Sequence, residues 1–241
     1  MTNELMIEAK GLTKYYKNFT AIKDVSFTIP KGQIVAFLGP NGAGKSTTMK
    51  VLTGYIAPSE GEAFIAGHNT ATDRIAAASK LGYLPENGPL YLDSTPYESL
   101  HFTGSMHGLK GDALHEAIER VVTICQLEEV IEKPIAKLSK GFRQRVGMAQ
   151  TLIHDPDVII MDEPTSGLDP NQIRTVRKTL RELGKTKTLL LSTHILQEVE
   201  AVADRVIFIS EGQIRFDDSV ENFKAHSAKL DDAFHSLSNI Q

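Results

Sequence analysis

Short apolar runs bounded by glycine and proline recur in the first third of this chain and return in its last third. Met6–Ala9, Val25–Ile29 and Ile34–Phe37 have strand length, and Pro30-Lys-Gly32 reads as a turn between the last two. Glu62–Ala66, bracketed by Gly61 and Gly67, and Leu81–Leu84, ending at Pro85, are two further strand candidates. From Thr95 to Ile153 the period changes. Leu114, Ile118, Val121, Val122 and Cys125 share one face at helical spacing. After Pro156 strands and helices alternate: Val158–Met161, Gln172–Leu183, Thr188–Leu191, Ile195–Ala203 and Val206–Ile209. The pattern predicts an α/β fold with a parallel sheet, interrupted by a mostly helical insertion. In the tail, Val220, Phe223, Leu230, Phe234 and Leu237 fall at roughly helical intervals. They predict an amphipathic helix docked on its own core.

The Gln33–Leu38 run leads into GPNGAGKST: Gly39, Pro40, Asn41, Gly42, Ala43, Gly44, Lys45, Ser46 and Thr47. This is the phosphate-binding P-loop pattern, and a helix over Thr47–Leu52, stopping at Gly54, completes its strand–loop–helix context. Glycines let backbone N–H groups face phosphates, and the helix N-terminus adds positive potential. Lys45 is expected to reach the β/γ-phosphates of a nucleotide and Ser46 to ligate Mg²⁺. A second motif, Val158-Ile-Ile-Met-Asp-Glu163, puts two carboxylates at the C-terminal end of an apolar strand. Ligands of open α/β sheets bind at such ends. Asp162 is expected to hold Mg²⁺ through water, and Glu163 to polarise an attacking water.

Composition narrows the reading. At 241 residues the chain fits one large α/β domain or two small ones. A net charge of −4 argues against a nucleic-acid partner. The single cysteine, Cys125, excludes an intrachain disulfide and reads as a small core hydrophobe. No run of 18 apolar residues and no secretory signal pattern occurs, so attachment to a membrane is expected only through a partner.

These residues resemble, in order and over nearly the whole chain, the nucleotide-binding subunits of ATP-binding cassette (ABC) transporters. LSKGFRQRVGMAQTLIHDP, from Leu138 to Pro156, is similar to the family signature and its helix. DEPTSGLDP, from Asp162 to Pro170, contains a segment similar to the D-loop, Ser166-Gly-Leu-Asp169. Leu191-Ser-Thr-His194 ends where the family carries its switch histidine, and Leu12–Phe27 resembles the segment whose aromatic stacks on adenine, with Tyr16 at the matching position. Lys229-Leu-Asp-Asp-Ala-Phe234 resembles the C-terminal helix of the drug- and lipid-exporter branch.

The resemblance implies an ABC ATPase fold with an N-terminal antiparallel β subdomain. It divides the single domain into a core of residues 1–86 and 156–215, a helical subdomain of 87–155 and a helical tail of 216–241. It implies that Lys45, Glu163 and His194 are catalytic. Ser139, Lys140 and Gly141, at a helix N-terminus suited to anions, would complete the γ-phosphate site of a second ATPase subunit, identical or paralogous, packed head to tail. Asp169 belongs to the D-loop and, before Pro170, also reads as a helix N-cap. Three positions in two motifs depart from the usual family residues. Lys140 and Phe142 stand in a signature that usually reads Leu-Ser-Gly-Gly-Gln, and Glu86 stands at the usual glutamine that contacts Mg²⁺. The expectation is a cytoplasmic ATPase, peripheral on the inner face of the cell membrane, bound to separate transporter membrane subunits and serving export. The alternative is a soluble ABC ATPase acting on a macromolecular or assembly partner.

Overall fold

The computed structural model describes residues 4–225. Its strands are β1 (Leu5–Tyr16), β2 (Phe19–Pro30), β3 (Ile34–Leu38), β4 (Glu60–Ile65), β5 (His68–Asn69), β6 (Leu81–Leu84), β7 (Val158–Asp162), β8 (Thr188–Thr193), β9 (Arg205–Ser210) and β10 (Gln213–Ser219). Its helices are α1 (Lys45–Leu52), α2 (Arg74–Lys80), α3 (Pro96–Met106), α4 (Gly111–Cys125), α5 (Lys140–Leu152), α6 (Pro170–Gly184), α7 (Leu196–Val202) and α8 (Val220–Ala225).

Two sheets result. An antiparallel sheet has the order β2-β1-β4-β5, and a second has the order β10-β9-β3-β8-β7-β6. In the second, β9, β3, β8, β7 and β6 are parallel, and only β10 runs antiparallel, against β9. Strand alternation divides the core between the two faces of this parallel sheet. Val158, Ile160 and Leu190 turn toward α1 and the antiparallel sheet, together with Met49 and Leu52. Ile159, Met161, Leu189 and Leu191 turn the other way, onto α5, α6 and the helical insertion. All of these side chains are buried, which explains why the strands read as unbroken apolar runs rather than alternating ones.

The helical insertion is held by α4, whose Leu114, Ile118, Val121 and Cys125 are buried as predicted, while Val122 of the same predicted face is half-buried against the core. Burial pushes the Cys125 thiol up to about 12, as expected of an inert core cysteine. The tail needs one correction. Residues 216–219 belong to β10 and pair with β9, so they are strand and not helix. The helix starts at Val220, and its Val220 and Phe223 pack against Phe208 and Phe216, as an apolar stripe requires. Leu230, Phe234, Leu237 and the Lys229–Phe234 segment lie outside the described residues.

Candidate functional site: a phosphate-binding cleft at the strand ends

The parallel strands bring their C-terminal ends to one edge of the sheet, and the P-loop leaves β3 at that edge. Glycine is required at two of its positions for different reasons. Gly44 precedes α1 at φ 104°, and a Cβ there would lie 2.7 Å from Ile22 Cγ2. A Cβ on Gly39 would lie 2.3 Å from the Ile209 carbonyl oxygen. The loop is thus seated against β2 and β9, with α1 starting at Lys45, earlier than the predicted Thr47. The first N–H groups of α1 have no helical acceptor and face the loop.

Asp162 ends β7 directly opposite Ser192 of β8, and the Ser192 hydroxyl donates to Asp162 Oδ1. The next residue, Glu163, adopts φ 50°, a left-handed conformation that costs a non-glycine residue about 1 kcal/mol or more. Its N–H donates to the Ser192 carbonyl at 3.2 Å and to the Ser192 hydroxyl at 3.1 Å, which holds the turn. The turn aims the carboxylate at the P-loop. Lys45 Nζ lies 3.5 Å from Glu163 Oε1 and donates to the carbonyls of Gly39 at 2.8 Å and Pro40 at 3.2 Å. His194, just beyond β8, places Nδ1 2.9 Å from Glu163 Oε2 and 3.0 Å from Oε1. A carboxylate accepts, so Nδ1 carries the proton and Nε2 is left for another partner.

Lys45, Glu163 and His194 share a cleft of about 580 Å³, lined also by Asn41, Gly42, Ser46, Thr47, Glu86 and Ser166, while Asp162 is buried next to Glu163 and is not among the lining residues. That volume suits a nucleotide. The donor set also suits Mg²⁺: a hydroxyl on Ser46 and carboxylates on Asp162 and Glu86 are hard oxygen ligands. Among the described residues no group of three or more His, Cys, Asp or Glu could enclose a cation. A Mg²⁺ ion there would rely on phosphate oxygens and water for most of its shell, as this ion commonly does.

The remaining predicted residues fall elsewhere. Ser139 caps α5, its hydroxyl accepting the Phe142 N–H at 3.3 Å, but Ser139, Lys140 and Gly141 are not among the residues lining this cleft. Asp169 caps α6 in a reciprocal box with Gln172, accepting from the N–H groups of Asn171 and Gln172. The two segments pack on each other within one chain. A Cβ on Gly167 would lie 2.2 Å from Lys140 Nζ, and one on Gly141 2.3 Å from Gln172 Cδ. Phe142 lies under the Arg145 guanidinium, 4.1 Å from it, and packs on the helical core. Glu86 lies on the wall between the cleft and a second groove that reaches Lys140, Arg143 and Gln144.

Tyr16 is not brought onto the cleft wall. It ends β1 opposite Phe19 of β2 and is 45% exposed, whereas Phe19 and Ala21 line the cleft. Phe19, Ser166 and Ser192 were not singled out from the sequence as site residues. Ser166 and Ser192 stand inside the DEPTSGLDP and Leu191–His194 motifs, so the signal for them was present.

Comparison with known proteins agrees with this geometry. The family model described as "ABC transporter" matches residues 22–166, more than half of the chain. The chain is 36% identical over 231 residues to the uncharacterized ABC transporter ATP-binding protein YhcH of Bacillus subtilis strain 168, covering 95% of this chain and 74% of that protein. It is 35% identical over 226 residues to the probable multidrug ABC transporter ATP-binding protein YbhF of Escherichia coli K12, covering 93% of this chain and 39% of that longer protein. Among solved structures, the ATP-binding cassette MJ0796, a dimer in a post-hydrolysis state bound to ADP and Pi, superposes with a TM-score of 0.81. That match is 25% identical and covers 89% of this chain and 99% of the other. The chain belongs to the ABC transporter ATP-binding proteins and is an ABC ATPase built on the P-loop NTPase fold.

Proposed function

We propose that this chain is the MgATP-hydrolysing subunit of an ABC exporter, working as a head-to-tail dimer on separate membrane subunits. The observation that carries the reading is the convergence of Lys45, Glu163 and His194 on one cleft. Water attacks the γ-phosphorus, the bond to the ADP oxygen breaks, and inorganic phosphate leaves. Such transfer depends on positioning and electrostatics. Lys45 and the loop N–H groups neutralise the phosphate oxygens. Glu163 orients the water and accepts its proton. His194 holds Glu163 through Nδ1 and presents Nε2 toward the γ-phosphate. Ser46 and Asp162, with Glu86 alongside, would hold Mg²⁺, which would supply charge neutralisation to the phosphates.

Tyr16, exposed at the hairpin end beside Phe19, is the proposed stacking surface for adenine. The segment Ser139-Lys-Gly141 supplies its helix N-terminus to the nucleotide of the second subunit, identical or paralogous. The dimeric arrangement of the MJ0796 cassette supports the same reading. The probable multidrug transporter among the relatives supports export.

Contact with the membrane subunits is assigned to the helical insertion next to Glu86. Tyr91, Phe102 and Met106 there are 67%, 55% and 73% exposed, and the two rings meet edge to face at 6.3 Å. Clustered exposed apolar side chains mark interaction surfaces. No helix among the described residues is long and apolar enough to cross a membrane, so the location proposed is peripheral, on the cytoplasmic face, through this contact. The test is phosphate release from MgATP by the purified chain, with and without a co-expressed membrane subunit. Absence of nucleotide binding and of phosphate release in both would end the proposal.

A further inference from the structure

One buried carboxylate close to the cleft has no part in the reaction just described. Glu198 lies in the first turn of α7 and is 7% exposed. Its Oε1 accepts the Thr165 hydroxyl, and its Oε2 accepts the Thr193 hydroxyl at 2.6 Å. Thr193 in turn accepts the Ile195 N–H at 3.0 Å, so its hydroxyl is fixed as the donor toward Glu198. Thr165 and Thr193 are themselves buried. Thr165 follows Glu163 by two residues, and Thr193 immediately precedes His194.

This arrangement ties the loop after β7 to the last residue of β8, past the point where β7 and β8 pair. The β7–β8 ladder ends at Asp162 opposite Ser192. Beyond that pair, the Glu163 N–H still donates to Ser192 and the His194 ring to the Glu163 carboxylate, and Glu198 adds a tie one layer behind them. Arg177 of α6 faces the Glu198 carboxylate, with its Nε buried and without a hydrogen-bond partner. Burial raises the Glu198 carboxyl above its ordinary range, while the Thr193 hydroxyl, Arg177 and His194 pull it down and Glu163 pushes it up.

We propose that Glu198 is a positioning residue that clamps the segment after Glu163 to the turn bearing His194, so that the two side chains approach the nucleotide as one unit. The inference rests on the ATPase reading above. It follows from the geometry, because one carboxylate spans two hydroxyls that stand next to the two groups. A misplacement of about 1 Å at a reacting group can cost on the order of 10²-fold in rate.

The test compares Glu198→Ala, Glu198→Gln and the double substitution Thr165→Val with Thr193→Val in the full chain. Steady-state kcat and KM for MgATP are measured together with nucleotide affinity. Glu198→Ala should lower kcat by about 10- to 100-fold, with KM and affinity within about twofold because Lys45 and the P-loop are untouched. Glu198→Gln should recover most of the rate, since its amide can accept from one threonine and donate to the other. The double threonine variant keeps Glu198 and should reproduce the kcat loss, which gives a second reading if Glu198→Ala does not fold. Unchanged kcat in Glu198→Ala, or in the double variant, overturns the clamp. So does an equal loss of affinity and kcat, or a Gln variant no better than Ala. A wild-type chain without ATPase activity would overturn the parent reading instead, and that control is run first.

Discussion

Lys45 Nζ lies 3.5 Å from Glu163 Oε1, and the two side chains are 6% and 9% exposed. A cation bound for phosphate and a carboxylate meant for water therefore neutralise each other across the cleft. Removing one partner of such a buried pair leaves the other uncompensated, which is costly. A substitution that keeps shape and removes only charge is the informative one.

Glu163→Gln is that substitution. Its amide oxygen still accepts from His194 Nδ1, which contacts both oxygens of the native carboxylate. ATP binding should persist, and hydrolysis should fall on the order of 10²-fold or more if the carboxylate activates water. The variant should accumulate as an ATP-bound dimer. Phosphate release and size-exclusion chromatography measure both effects, and near-normal turnover would remove Glu163 from the catalytic role.

Binding and assembly should separate. Lys45→Ala should weaken nucleotide binding in the monomer, because Lys45 lies in the cleft. Ser139→Arg should leave monomer binding intact and block ATP-dependent dimerisation, because Ser139 caps α5 away from its own cleft. Nucleotide titration and light scattering with ATP check the pair. Equal loss of monomer affinity in both would contradict the head-to-tail arrangement.

Glu86 lies between the cleft and the groove reaching Lys140. A carboxylate there attracts Mg²⁺ and repels the γ-phosphate. At ~4 Å and an effective dielectric of ~20 each effect is about 4 kcal/mol per unit charge before solvation, with opposite signs. Glu86→Gln should therefore hydrolyse ATP at a comparable rate, while Glu86→Ala should lose stimulation by the membrane subunit. Transport assays in vesicles decide this; an Ala variant with unchanged transport would make Glu86 a surface carboxylate only.

Acid stability should carry a signature of His154. Its ring stacks on His107 at 3.8 Å, Nε2 donates to the Leu81 carbonyl at 3.0 Å, and Nδ1 is buried without a partner. Burial and the His107 ring lower its pKa from 6.5 to about 4. Between those values the unfolded chain holds a proton that the folded chain does not, so stability falls as pH drops from about 6.5 to about 4 and this contribution is then exhausted. His154→Gln should flatten that fall relative to the native chain in urea titrations at several pH values. Parallel curves for the two proteins would refute the assignment.

The local motifs were legible because their chemistry is written in consecutive residues. A P-loop needs its glycines where the backbone turns left-handed or meets β2 and β9, and Gly39 and Gly44 show that need directly. The caps at Ser139 and Asp169 and the buried face of α4 follow from spacing along one segment. Tertiary structure alone decided which distant segments meet. The β7–β8 register puts Asp162 beside Ser192, and so puts Glu163 near His194. Antiparallel pairing with β9 made strand of residues 216–219, which the domain division implied by the family resemblance had placed in the helical tail. Hairpin pairing set Tyr16 across from Phe19 and left Phe19 on the cleft wall. Glu198 reads in sequence as one more acidic residue in a helix, and only the fold brings Thr165 and Thr193 to its two oxygens. Spacing along a segment is set by backbone geometry, whereas contacts across 30 or more residues depend on how strands align and how the sheet's two faces are filled.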